Sequence, residues 1–368
     1  MIRRVRVSLT EGRDRSYDIR VGADIQGEFG SAIRTLGLGL RALLVADAAV
    51  ADSLAPLLGS SLHAAGITTH LVVVPSGEGS KTLDTARRLY DAAFDAGLDR
   101  RSVIVALGGG MVGDLAGFVA ATFLRGIAFV QVPTTLLAQV DASVGGKVAV
   151  DHPRGKNLIG AFHQPRLVWA DVRALAGLPK RELRAGLAEA IKMGIIADAR
   201  YYQFIRRNYA AILDGDESAL VRVVVGSCRL KAEVVHADER EESGQRMLLN
   251  FGHTIGHAVE AVAGYGNIRH GEAVAIGMCV EGRLALRCGR WSERWQSQLE
   301  ALCTAVGLPT RIPGLPLRDL VVTMGFDKKS LAGKLHWVLP ERPGSASIVT
   351  NVQATDVAAV ATELGAEA

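Results

Sequence analysis

The chain has 368 residues, of which 49% are hydrophobic and 22% are charged, and its formal net charge is +4. That length is ample for two domains with buried cores, and the balance is typical of globular proteins. The modest charge and the lack of a basic tail argue against nucleic-acid binding, and no apolar run reaches the roughly 18 residues of a membrane helix.

Cysteine usage and the N-terminus favour a protein of the reducing cytoplasm. The four cysteines include no CxxC pair, so neither a thiolate zinc site nor a disulfide framework is expected. The first residues alternate apolar and charged side chains and lack the continuous apolar stretch of a signal peptide. We therefore expect a cytoplasmic protein that binds neither membrane nor nucleic acid.

The first half of the chain alternates strands with helices. Residues 3–22 predict two strands around a turn at Glu11–Ser16, because apolar positions alternate there. Amphipathic segments of helix length, such as Thr82–Gly97, lie between short aliphatic runs that predict strands buried on both faces. These runs are 41–47, 70–75, 102–110 and 127–133. The alternation predicts an α/β domain built on a Rossmann-like, doubly wound parallel sheet.

Two turns of this half have the composition of nucleotide contacts. Asp47 ends a predicted strand, where its carboxylate can accept a hydrogen bond from a ribose hydroxyl. Glu78 and Lys81 bracket a glycine-rich turn, where they can contact nucleotide hydroxyls or phosphate. By spacing alone, each of these residues is as well explained as part of a solvated turn.

A glycine-rich turn at 108–114 follows the apolar strand VIVAL and opens a helix. Gly108, Gly110 and Gly113 fit the GxGxxG pattern of dinucleotide sites in the required order of strand, turn and helix. In such sites the glycines let a pyrophosphate approach the backbone and the free N–H groups of the helix N-terminus. A tight turn that only packs the helix on the strand is the alternative.

The pattern changes near Leu178 to helical periodicity. Amphipathic helices are predicted at 179–196, 199–213, 217–233, 252–263 and 272–288. We expect a domain boundary at about residue 177. It would separate an N-terminal α/β domain (1–177) from a mostly α-helical, metal-binding C-terminal domain (178–368).

Three of the nine histidines fall within residues 251–274. His253 and His257 are four residues apart and share a helix face, and His270 opens the next helix. Glu189 lies on another predicted helix. Three imidazoles and a carboxylate can form a catalytic metal site with an open position. Spacing alone names His253 and His257 as the metal pair, and hydrogen-bonded core histidines are the alternative.

Several basic residues stand among small or apolar neighbours, whereas a solvated face would place them among polar ones. They are Arg125, Lys147, Lys156, Lys192, Lys231 and Arg246. Lys147 follows two glycines and Lys156 precedes Asn157, as expected of phosphate donors on tight turns. Each residue alone is explained as an ordinary surface charge. Together they indicate a small-molecule substrate that carries phosphate and carboxylate.

Six sequence blocks make the chain resemble the 3-dehydroquinate synthases, which belong to the sugar phosphate cyclases. The blocks span about residues 75–340 and read GGGMVGDLAGFVA, VPTTLLAQVDASVGGKVAVDHPRGKNLIGAFHQP, LRAGLAEAIKMGI, KAEVVHADEREESGQRMLLNFGHTIGHAVEA, YGNIRHGEAVAIGM and DKKSLAGKLHWVLP. The resemblance implies a nucleotide-binding N-terminal domain, a helical C-terminal domain and a homodimer. Small departures from the family pattern are His163, where Tyr is frequent, and Met193, where an aromatic residue is frequent.

The resemblance also implies roles for individual residues. NAD contacts are implied at Asp47, Glu78, Lys81, Gly110, Val112, Gly113, Asp114, Thr134, Thr135, Lys147 and Lys156. A divalent metal, zinc or cobalt, is implied at Glu189, His253 and His270, so His257 becomes a substrate contact and not a ligand. The implied substrate contacts are Arg125, Asp141, Lys147, Asn157, Lys192, Lys231, Arg246, Asn250, His257 and one of Lys328 and Lys329.

The implied activity is a lyase reaction of the shikimate pathway. It converts 3-deoxy-D-arabino-heptulosonate 7-phosphate into 3-dehydroquinate and phosphate, with NAD reduced and reoxidised in each turnover. Arg246, Asn250 and His257 together favour this reaction over the cyclases that make inosose or valiolone rings. An aminated-substrate cyclase, a metal-dependent polyol dehydrogenase and an inactive NAD-binding scaffold are the remaining alternatives.

Overall fold

The computed structural model describes residues 1–9, 14–264, 266–326 and 335–367. Packing divides the chain into two compact units. The first holds Met1–Leu178 and Leu220–Arg240, and the second holds Pro179–Ala219 and Glu241–Ala368. The chain first changes unit beside the boundary predicted at about residue 177, whereas residues 220–240 pack with the first unit.

The strands and helices are numbered in chain order. The strands are β1 (Arg3–Val7), β2 (Tyr17–Gly22), β3 (Arg41–Asp47), β4 (Thr68–Val74), β5 (Val103–Gly108), β6 (Ala128–Pro133), β7 (Lys147–His152), β8 (Gly155–Phe162), β9 (Leu167–Asp171), β10 (Trp337–Arg342) and β11 (Ser345–Val349). The helices are α1 (Phe29–Thr35), α2 (Ala48–Ala64), α3 (Leu83–Asp95), α4 (Gly110–Thr122), α5 (Lys180–Ala197), α6 (Ala199–Leu213), α7 (Glu217–Ala237), α8 (His253–Val262), α9 (His270–Arg287), α10 (Glu293–Val306), α11 (Leu317–Phe326) and α12 (Ala354–Glu363).

The first unit is built on a sheet whose strands run in the order β1-β2-β9-β6-β5-β3-β4. Only the pair β1–β2 is antiparallel among these described strands, and the other pairings are parallel. From β3 the chain goes outward to β4 and then returns to β5 on the other side of β3. The predicted doubly wound α/β fold is therefore confirmed, and ligands of such sheets bind at the carboxyl ends of strands where the direction reverses, here β3 and β5.

Apolar layers cover both faces of this sheet. On β3, Leu43 and Val45 pack into the layer that includes residues of α3 and α4, while Ala42 and Leu44 pack into the layer with α1 and α2. Because both faces are buried, the central strands consist of unbroken aliphatic runs, and this is why they could be predicted from the sequence. The hairpin of β7 and β8 was not predicted, because most of β8 is exposed and lacks such a run.

The second unit is mostly helical. Helix α9 packs against α5, α8, α10 and α12, and β10 and β11 form an antiparallel pair beside it. The helices predicted at 179–196, 199–213, 252–263 and 272–288 correspond to α5, α6, α8 and α9 within two residues at each end. Within the described ranges, no helix has the length and apolar character needed to cross a membrane.

Candidate active site

The predicted cofactor contacts that follow β3, β5 and β6 gather at the carboxyl ends of these strands. Helix α4 begins at Gly110 without a capping side chain, so its first N–H groups face the turn. The Thr134 N–H donates to the Gly108 carbonyl (2.9 Å), which places the Thr134–Thr135 pair beside the turn. A Cβ at Gly113 would lie 2.6 Å from the Gln131 Oε1, so glycine lets α4 approach β6 closely. The arrangement is that of an anion site at a helix N-terminus.

Asp47 has a local structural task at the same edge of the sheet. Its Oδ1 accepts from the Ala49 N–H (2.9 Å) and so caps the N-terminus of α2. The Ser76 hydroxyl donates to the same oxygen. Both hydrogen bonds use one oxygen, so the carboxylate can cap α2 and still present Oδ2 to a ligand.

Lys81 is buried at the centre of a polar cluster. Its Nζ lies 2.6 Å from Asp114 Oδ2 and 3.6 Å from Glu78 Oε1, and it also donates to the Asn157 side-chain carbonyl. Burial alone would lower the pKa of Lys81, but the carboxylates of Asp114 and Glu78 outweigh it and raise the pKa. Three predicted contact residues, Glu78, Asp114 and Asn157, therefore surround the positive charge of a fourth, Lys81.

Arg125 lies on a turn with unusual backbone geometry. Leu124 (φ 50°), Arg125 (φ 68°) and Gly126 (φ 110°) are consecutive residues with positive φ. The first two are not glycine, so each costs of order 1 kcal/mol of backbone strain. Strained backbone conformations are frequent at functional sites. Here the strained turn carries Arg125, which is exposed.

Asp141 and Lys231 form a pair inside the first unit. Asp141 lies in a short π-helical segment, Ala138–Ala142, a geometry that is common at functional sites. The Lys231 Nζ donates to the Asp141 carbonyl (2.7 Å) and to its Oδ1 (2.8 Å). Helix α7 carries Lys231, so the return of residues 220–240 to the first unit creates this pair.

A possible metal site lies in the second unit. The ligand atoms of Glu189, His253 and His270 lie within 4.8 Å of one another. The Glu189 Oε1 lies 3.5 Å from His253 Nε2 and 3.2 Å from His270 Nε2, and its Oε2 lies 2.6 Å from Lys192 Nζ. None of these contacts has hydrogen-bond geometry at the buried Glu189 oxygens. Side chains that converge in this way have the donor atoms and spacing to hold a metal ion.

The other nitrogen of each imidazole is oriented by an acceptor. His253 Nδ1 lies 3.2 Å from the Phe251 carbonyl, and His270 Nδ1 lies 3.3 Å from Glu260 Oε2. An acceptor at Nδ1 holds the tautomer that leaves Nε2 free for a metal. Glu260 was not predicted from the sequence, although His253, His257 and Glu260 share one face of α8 by their spacing of four and three residues.

Electrostatics at this cluster follow from burial and close charges. Burial alone would raise the pKa of Glu189, but Lys192 and His270 outweigh it and lower the pKa to about 2. Burial alone would lower the pKa of His270, but Glu189 and Glu260 raise it to about 9, so His270 would have to release the proton on Nε2 when it binds a metal. Glu189 is therefore an anion at neutral pH, the form that binds a cation.

His257 lies beside the possible metal ligands but outside their group. Its ring centroid is 5.2 Å from that of His253 and 6.0 Å from that of His270. Arg246 and Asn250 lie in the 3-10 helix Gln245–Asn250, which precedes α8. Arg246 is buried, and its Nε lies 3.5 Å from Glu241 Oε1. Lys328 and Lys329 lie outside the described residues.

Val112 is buried in α4, and the other remaining predicted residues lie on the β7–β8 hairpin of the first unit. Lys147 begins β7, and Lys156 and Asn157 lie in β8. Asn157 has a positive φ of 57°, and its N–H donates to Asp151 Oδ1 (2.8 Å). The basic set is thus divided, with Lys192 and Arg246 in the second unit and the others in the first.

Comparisons with known proteins identify the family to which the chain is similar. Residues 71–185 match the family model described as 3-dehydroquinate synthase N-terminal, and residues 186–330 match the one described as 3-dehydroquinate synthase C-terminal. The 3-dehydroquinate synthase of Desulforamulus reducens is 51% identical over 348 residues, which cover 94% of this chain and 97% of that protein.

Two solved structures share the fold along nearly the whole chain. One is 2-epi-5-epi-valiolone synthase from Streptomyces hygroscopicus subsp. jinggangensis with NAD+ and Zn2+ bound (TM-score 0.89, 28% identity, covering 97% of this chain and 98% of that one). The other is 2-deoxy-scyllo-inosose synthase complexed with carbaglucose-6-phosphate, NAD+ and Co2+ (TM-score 0.88, 28% identity, covering 98% of this chain and 100% of that one).

Proposed function

This chain belongs to the 3-dehydroquinate synthase family, and we propose that it converts 3-deoxy-D-arabino-heptulosonate 7-phosphate into 3-dehydroquinate and phosphate. The observation that carries this proposal is the buried Glu189, whose Oε1 faces the Nε2 atoms of His253 and His270. Lys192 and Arg246, two of the basic residues predicted to bind a doubly anionic sugar, lie in the same unit as this group.

The residues present fit a divalent metal ion. A carboxylate and two imidazoles are ligands that zinc accepts in catalytic sites with an open position, and cobalt accepts the same donors. Glu189 is fully buried, and its Oε1 faces two imidazole nitrogens while its Oε2 pairs with Lys192. A cation held by Oε1 and the two imidazoles would offset the cost of burying this oxygen. We assign the ion to Glu189, His253 and His270 and leave His257 to the substrate.

NAD would supply a reversible hydride acceptor, and the metal ion would supply a Lewis acid for the sugar hydroxyls. The first unit would bind the nucleotide at the N-terminus of α4, with Thr134, Thr135 and Asp47 around it. Lys81 would stay protonated and face the cofactor phosphates, because Asp114 and Glu78 raise its pKa. These contacts fix the orientation of the cofactor.

The substrate would be held at its two anionic ends. Lys147, Asn157, Lys192, Asn250 and His257 would donate to the phosphate, whose own oxygens can take a proton as the phosphate leaves. Lys231 and Arg246 would hold the carboxylate, and Arg does so with two parallel hydrogen bonds. Asp141, which orients Lys231 at 2.8 Å, would direct sugar hydroxyls. One of Lys328 and Lys329 would add a further contact.

We further propose a homodimer of the cytoplasm in which Arg125 reaches the substrate site of the neighbouring subunit. The exposed position of Arg125 and the positive φ values of its turn support this role. A cyclase that acts on an aminated form of the same substrate is the second candidate, because its carboxylate and phosphate would engage the same residues.

The test of the substrate class uses R246A. Loss of a charge-assisted hydrogen bond costs about 1.5–3 kcal/mol, so kcat/KM for the heptulosonate phosphate is expected to fall by about tenfold to a hundredfold. With a substrate analogue that lacks the carboxylate, wild type and R246A are expected to behave alike. Steady-state phosphate release measures both substrates.

The matched control is R229A, which removes an exposed arginine paired with Glu233 on α7. It is expected to keep wild-type kcat/KM, because surface ion pairs contribute little. If R246A stays within a fewfold of wild type on the natural substrate, the carboxylate assignment is wrong. If wild type turns over only the analogue, the proposed reaction is wrong.

A further inference from the structure

A buried carboxylate without an assigned role lies where α9 packs against α8. Glu281 is 0% exposed and is not one of the three possible metal ligands. Its Oε2 accepts from the Gly252 N–H (2.7 Å) and its Oε1 from the Ile255 N–H (3.4 Å). A buried anion is costly unless its oxygens are satisfied, so its position requires an explanation.

The start of α8 explains what the carboxylate contacts. Helix α8 begins after Gly252, which has no side chain to cap it and a left-handed φ of +79°. In an ordinary capping box, two side chains accept from the N-cap N–H and from the third N–H of the helix. Here a single glutamate from α9 accepts from both. Its negative charge also complements the positive end of the helix dipole.

The backbones of the two helices meet at the same place. A Cβ at Gly277, one turn before Glu281 on α9, would lie 1.8 Å from the Gly252 carbonyl oxygen. The residue after Gly252 is His253, the first residue of α8, and His270 is the first residue of α9. Glu260 of α8 in turn contacts His270 (3.3 Å). Each helix therefore sends one carboxylate to the histidine-bearing end of the other.

We infer that Glu281 is a positioning residue for the metal site: it fixes the first turn of α8 so that His253 Nε2 faces Glu189 together with His270. This inference rests on the proposed metal role of Glu189, His253 and His270. Both described hydrogen bonds of Glu281 are with backbone N–H groups at the start of α8. Its removal therefore lowers metal affinity by releasing His253 and leaves the three ligands in the chain.

The experiment measures zinc affinity of the full-length protein by competition with a chromogenic chelator. E281A removes both acceptors and is expected to raise the Kd for zinc by about 10- to 100-fold, the usual effect of residues that orient ligands. E281Q keeps one acceptor in nearly the same volume, so its Kd should lie between those of wild type and E281A. If E281A does not fold, E281Q against wild type decides the question.

The matched control is L284A, which opens a cavity on the same buried helix and keeps the Glu281 carboxylate. The metal-free melting temperature is measured for all variants. If E281A binds zinc no more weakly than L284A does, Glu281 has a purely structural role and the inference is overturned. H270A should abolish zinc binding. If H270A loses zinc and E281A keeps it, only the inference fails, whereas a wild type without zinc binding would also overturn the proposed metal site.

Discussion

The environment of His163 predicts that the stability of the protein depends measurably on pH. Its Nε2 lies 2.8 Å from the Ile127 carbonyl and its ring stacks on Phe129 with centroids 5.4 Å apart. Burial lowers the pKa of His163 more than the bond to Ile127 raises it. The folded state therefore binds fewer protons at this site than the unfolded state.

Wild type is therefore more stable above the ordinary histidine pKa of about 6.5, and this stability is lost as the pH falls from there through the lower pKa of the folded protein. H163F removes the titrating group and leaves the Ile127 carbonyl without its donor, so it should be less stable than wild type at about pH 8. The melting-temperature difference should narrow towards about pH 5, because His163 binds a proton more readily in the unfolded chain than in the folded protein, and this destabilises only wild type there.

L89A, a packing change in the same unit without a titratable group, serves as the control for this prediction. The difference in melting temperature between L89A and wild type should stay nearly constant across the same pH range. A difference for H163F that is equally constant would show that His163 is not held neutral by the fold.

At the scale of elements, the close approach of α9 to the start of α8 depends on Gly277. A Cβ at this position would lie 1.8 Å from the backbone oxygen of Gly252. A backbone atom cannot move aside as the end of a flexible side chain can. G277A should therefore separate the helices and lower stability by about 1–3 kcal/mol or more. Calorimetric melting measures the effect, and zinc titration should show weaker binding in the same variant.

The control for this prediction is G59A in α2, where nothing lies within 4 Å of the added Cβ. Alanine is favoured over glycine in a helix by about 0.5–1 kcal/mol, so G59A should be slightly more stable than wild type. If G277A melts like G59A, the helices are not packed against each other as described.

The strands and helices differ in how well the sequence predicts them. The strands β3, β5 and β6 are buried on both faces, so their aliphatic runs identify them without knowledge of their neighbours. The hairpin β7–β8 has no such signal because most of β8 is exposed. Helix α7 was predicted from its periodicity, but periodicity reveals an apolar face and not the unit against which that face packs.

In the whole molecule, the candidate site likewise depends on contacts between helices that no local sequence pattern reveals. Spacing placed His253 and His257 on one helix face, but only the packing of α5 against α9 brings Glu189 to His270. Glu260 and Glu281 act on atoms that lie on another helix. No local pattern could reveal the partners of these two carboxylates, although the composition of their helices is visible in the sequence.

This member of the 3-dehydroquinate synthase family is proposed to close an anionic sugar phosphate into a ring and to recycle its NAD. The most direct measurement supplies the heptulosonate phosphate with zinc and with NAD at a small fraction of the substrate concentration. Phosphate, dehydroquinate and the absorbance of NADH are followed together. We expect phosphate and dehydroquinate to form in equal amounts until the substrate is consumed, without accumulation of NADH. NADH that rises mole for mole with product, or the absence of phosphate release, would contradict the proposed reaction.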